Sequence, residues 1–63
     1  MFKVFTSRDD NDVCIDLEQV DSVAELYRGS LISMKSGQTW LVREDTADVM
    51  QNIKACRRGF GFF

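Results

Sequence analysis

The segment from Leu31 to Val42 alternates in a way that makes both sides of one short ribbon apolar. Taking Ser36-Gly37 as a two-residue turn sets Lys35 opposite Gln38, Ser33 opposite Trp40 and Leu31 opposite Val42. Met34 then faces Thr39, and Ile32 faces Leu41. One face carries Leu31, Trp40 and Val42, and the other carries Ile32, Met34 and Leu41. A small sheet with a single helix covers one face only, so this reading sends the second face to another sheet or another copy of the chain.

Chain length sharpens the point. For 63 residues, the scaling of folded and unfolded surface gives roughly 6,000 Å² buried on folding. With about 60% of that apolar, the gain is on the order of 95 kcal/mol at ~25 cal/mol per Å². Ordering the chain costs about the same, at ~1.5 kcal/mol per residue. An isolated monomer is therefore expected to be marginal, and disulfides, a metal or self-association are the usual remedies. The only cysteines are Cys14 and Cys56, and nothing in the chain reads as a secretory signal. A reduced, cytoplasmic setting is expected. With no histidine, two thiols do not complete a zinc site. No cofactor is expected, and self-association remains.

The other segments are ordinary. Strands are predicted over about 1–6, 13–17, 23–27, 30–35 and 38–43, with a helix over about 45–58 and a tail over 59–63, all in one domain. Phe2 and Val4 oppose Met1, Lys3 and Phe5 in the first strand, and Val13, Ile15 and Leu17 alternate with polar residues in the second. Asp16 to Asp21 reads as a turn that tucks Leu17 and Val20 inward. Val23 to Tyr27 suits a third strand or a helical turn, and Arg28-Gly29 breaks it. Asp45 is placed to cap a helix whose apolar stripe is Val49, Met50, Ile53 and Cys56, with Ala47 at its edge. The fold class is α+β: a small antiparallel sheet of four or five strands with one C-terminal amphipathic helix, associating through its sheet.

Candidate sites are few. Cys56 reads as a buried thiol and Cys14 as a residue on the polar side of its strand, with no histidine to activate either. Asp9, Asp10 and Asp12 lack the glycine and distal glutamate of a calcium loop and read as a solvated turn. Asp16 and Glu18 read as surface charge on one strand face. Leu31, Trp40, Val42, Phe62 and Phe63 are the expected oligomer interface. Lys54, Arg57, Arg58 and Phe60 form the one basic and aromatic cluster, a candidate contact for a partner or an anion. A net charge of −2 argues against nonspecific coating of nucleic acid. No apolar run reaches the ~20 residues that span a bilayer.

Gly37-Gln38-Thr39-Trp40-Leu41-Val42-Arg43-Glu44, followed by Asp48-Val49-Met50 and Ile53, resembles the end of the flagellar and swarming-motility FlbD family. Val13 to Leu17, Val20 to Glu25 and Leu31 to Met34 fall in similar order, so the resemblance spans most of residues 2–54. It implies a small sheet-and-helix protein connected with motility. Asp9-Asp10-Asn11-Asp12 stands where that family has an Asn-Gly hairpin, and the chain has no proline. Leu31 to Val49 also looks like the strand–strand–helix core of LytTR DNA-binding domains, and the small five-strand-and-helix outline is similar to the carbon storage regulators. The expected function is that of a non-enzymatic regulatory or adaptor protein that binds another protein as a homo-oligomer. The alternatives are a nucleic-acid-binding regulator, or a phage or mobile-element inhibitor that sequesters a host protein or a small ligand at a subunit interface.

Overall fold

The computed structural model describes residues 1–58; residues 59–63, and with them Phe60, Phe62 and Phe63, lie outside the described part. Five strands and one helix follow one another as β1 (Phe2–Thr6), β2 (Asp12–Asp16), a 3₁₀ turn (Leu17–Gln19), β3 (Val20–Leu26), β4 (Gly29–Met34), β5 (Thr39–Val42) and α1 (Thr46–Arg58). The α+β class is as read from the sequence, but the strands divide between two antiparallel sheets, β1-β2 and β3-β4-β5.

Turn residues account for the breaks. Asp10, with φ 66°, takes the left-handed conformation in the loop from Ser7 to Asn11, which the Ser7 hydroxyl stitches by accepting from the amides of Asp9 and Asn11. Asp16 caps the 3₁₀ turn by accepting from the Glu18 amide, and the turn buries Leu17 and Val20 as the sequence suggested. The third strand begins at Val20, three residues before the predicted start, because Val20 already pairs with Met34 across a bulge at Asp21.

The predicted hairpin forms in a different register. Met34 donates to the Gln38 carbonyl and Gly37 donates to the Met34 carbonyl, so the loop is Lys35-Ser36-Gly37, three residues with glycine at φ 96°. This is the turn-plus-bulge hairpin, not the two-residue turn. The slip of one residue pairs Ile32 with Trp40, Leu31 with Leu41 and Ser30 with Val42. Every side chain of the second strand consequently changes partners and faces. Ile32, Trp40 and Val42 point inward together, while Leu31 and Leu41 share the outer face.

One core lies between the sheets and the helix. Phe5, Val13 and Ile15 enter it from the first sheet, Leu17 and Val20 from the turn and β3, Ile32 and Val42 from the second sheet, and Val49, Ile53 and Cys56 from α1. Val23, Met34 and Trp40 pack against its margin. Met50, expected on the buried stripe, is 36% exposed, because the stripe that turns inward is narrower than the sequence suggested. The helix packs on the 3₁₀ turn, β3 and β4. The inner face of the three-stranded sheet is thus shared between the helix and the β1-β2 hairpin, where one sheet of four or five strands was expected.

A compact clasp joins the two sheets. Ser7 and Val42 form a single antiparallel bridge, Arg43 donates to the Thr6 carbonyl, and both Glu44 carboxylate oxygens accept from the Thr6 amide at 3.0 Å. Beside it, the fully buried Ser30 hydroxyl donates to the Glu44 carbonyl and meets the Thr46 hydroxyl at 3.1 Å. No helix among the described residues is long and apolar enough to cross a membrane.

Candidate protein-binding surfaces

Two patches of large apolar side chains stay on the outside. Alternation along β1 places Phe2 and Val4 on its outer side, 67% and 55% exposed, with the exposed Cys14 directly opposite Val4. On the second sheet Leu31 pairs with Leu41 and with Ala24, and Leu26 lies on the same outer side. Leu41 is 46% exposed, and Leu26 and Leu31 are half-buried. Monomeric proteins scatter single exposed leucines freely, but a contiguous apolar sheet face is characteristic of an interface.

The residues expected at an oligomer contact separate. Leu31 is on the outer sheet face. Val42 is in the core with no exposure, so it is unavailable to a partner; the three-residue loop put it there. Trp40 sits half-buried at the margin of the core, between two hollows rather than on a flat sheet face. Phe62 and Phe63 belong to the part of the chain that is not described.

The basic cluster is likewise only partly placed. Lys54 is exposed on α1, and Arg57 and Arg58 belong to its last turn, which ends the described residues. Arg43 is already engaged: its Nε lies 2.8 Å from the Asp10 carboxylate and its NH2 group donates to the Arg8 carbonyl. The acidic residues show similar local roles. Asp16 and Glu18 hold the Met1 ammonium at 3.4 and 2.8 Å, and the hydrogen bond to Glu18 raises the pKa of that amine above its usual 8.0, against an opposing desolvation and with Asp16 assisting. Arg28, at φ 62°, stacks over the Tyr27 ring at the tip of the β3-β4 hairpin.

Two adjoining hollows lie between β2 and β5, one on each side of Trp40. One, about 310 Å³, is walled by Phe2, Cys14, Ile15, Met34 and Trp40, and the other, about 570 Å³, by Asp9, Asp12, Val13, Thr39 and Leu41; Trp40 belongs to both. They bring together residues 25 or so positions apart, and no local sequence signal announces them. The aromatic singled out by the sequence lies between them. Comparison with family models, curated proteins and solved structures gave no match for this chain.

Proposed function

We propose that this protein is a non-enzymatic binding module of the cytoplasm, acting as a homo-oligomer that binds another protein in a regulatory or adaptor role. The observation that carries the reading is the outer face of the three-stranded sheet, where Leu26, Leu31 and Leu41 lie side by side with Ala24 and no element among the described residues covers them. Burying such a face yields about 25 cal/mol per Å², and a chain this small has little core from which to draw stability otherwise. A second copy is the simplest occupant, since a two-fold contact needs only one self-complementary patch.

Sedimentation velocity tests this. The wild-type chain sediments as a dimer or larger species whose fraction rises with concentration, and Leu31→Glu shifts it to monomer while the far-UV circular dichroism is retained. A wild-type chain that stays monomeric across the concentration range overturns the self-association.

A further inference from the structure

Strand pairing fixes which backbone groups line the hollows between β2 and β5. The Ser7 amide bonds to Asn11 and the Leu17 amide to Met1, so odd-numbered residues of the β1-β2 hairpin bond to each other and Asp12, Cys14 and Asp16 turn their backbone groups outward. In β5 the carbonyl of Gln38 is bonded to Met34 and the amide of Arg43 to Thr6, which leaves the Thr39 amide and carbonyl and the Leu41 amide outward. The Asp16 carbonyl is taken up by the 3₁₀ turn that Asp16 caps, which leaves the backbone groups of Asp12, Cys14 and Thr39 and the Leu41 amide outside both strand ladders. Two strand edges with outward backbone groups therefore border a groove made of two hollows, one on each side of the Trp40 indole, with the apolar Ile15, Val13 and Met34 among their walls.

The charge at the rim has a sign. Asp9, Asp12 and Asp16 line it, and of these Asp16 is engaged by the Met1 ammonium while Asp9 and Asp12 have no ion pair among the described residues. The one basic lining residue, Arg8, directs its guanidinium to the Tyr27 carbonyl at 3.1 Å.

We propose that this groove takes an extended peptide segment as an added strand along β5, with an apolar side chain against Trp40 and basic side chains toward Asp9 and Asp12. Strand addition derives affinity from main-chain hydrogen bonds and specificity from alternate side chains, and the edge of β5 offers both. The proposal rests on the reading of the protein as a protein binder, and uses the edge of β5 where the self-association reading uses the outer sheet face, the two meeting at Leu41.

The test is an NMR and fluorescence titration of the ¹⁵N-labelled full chain with three capped, Trp-free pentapeptides. One is Lys-Val-Lys-Val-Lys, one is Glu-Val-Glu-Val-Glu, and the third is the lysine peptide N-methylated at alternate residues. The lysine peptide is expected to shift the amides of Thr39, Leu41 and Cys14 and the Trp40 emission in one saturable step, about tenfold tighter than the glutamate peptide. N-methylation abolishes the step, and Thr39→Pro, which removes an outward amide without touching the β4 ladder, weakens it by about tenfold. Asp12→Asn narrows the gap between the two charged peptides. No saturable shift up to about 1 mM, equal binding of the methylated peptide, or equal binding of both charges overturns the proposal. So does movement of the same amides on raising protein concentration alone, which would make a second copy the occupant. Running the titration also on Leu31→Glu separates this outcome from failure of the self-association reading.

Discussion

Gly29 has little freedom to change. A Cβ there would come within 2.2 Å of the Val42 carbonyl oxygen, and its φ of 149° is one that L side chains rarely adopt. Gly37 has a φ of 96° but open space around it. Gly29→Ala is therefore expected to cost about 3 kcal/mol or more, since the clash is with backbone, and Gly37→Ala about 1 kcal/mol from strain alone. Urea denaturation of the two variants measures the difference; equal losses would show that contact with Val42 is not what fixes the glycine. The Met1 amine gives a pH signature. Its pKa is raised in the folded chain by Glu18 and then Asp16, so its contribution to stability is fully present below the unfolded value of 8.0 and is lost as pH rises through the folded one. Melting temperature should fall between neutral and alkaline pH, and acetylating the Met1 amine should flatten that part of the curve. Because the pair is exposed, the effect is small.

At the scale of elements, the hairpin register has a direct energetic test. Ile32 has no exposure and Leu41 is 46% exposed. In the Leu31→Glu background, where the outer face is uncovered, Ile32→Ala is expected to destabilise by about 2–5 kcal/mol through the cavity it leaves, and Leu41→Ser by no more than about 0.5 kcal/mol. The two-residue turn would have made Ile32 and Leu41 neighbours on one face, with similar costs. Four of the strands, the helix and the inward turn after Asp16 were legible because alternation and the spacing of Val49, Ile53 and Cys56 each point one way, whereas Val23 to Tyr27 suited a strand or a helical turn. The register was not, because Ser36-Gly37 suits both loop lengths, and Trp40, Leu41 and Val42 are all apolar, so no polar residue objected to the slip. The groove was illegible for another reason. Its walls come from β2 and β5, whose adjacency follows from the bridge at Ser7 and Val42 and not from anything local.

At the scale of the molecule, two sheets share one core through few backbone links. The first sheet contributes Phe5, Val13 and Ile15 to that core, but beyond its own hairpin it is hydrogen-bonded to the second sheet mainly around Thr6. Glu44→Ala removes both carboxylate acceptors from a half-buried amide and is expected to cost about 1–3 kcal/mol by chemical denaturation, more than a surface glutamate elsewhere. Glu25→Ala, on the exposed edge strand β3, is the matching control. Equal effects of the two would mean that the Thr6 contact contributes nothing.

Fastening concentrated at one end of the first hairpin also predicts an order of events. If the link at Thr6 and Glu44 lets go first, the Thr6 amide trades its proton for a deuteron sooner than that of Ile32, which sits between two neighbouring strands. The N-terminal ribbon would then behave as a flap on a steadier platform, lifting away while the rest of the chain keeps its shape.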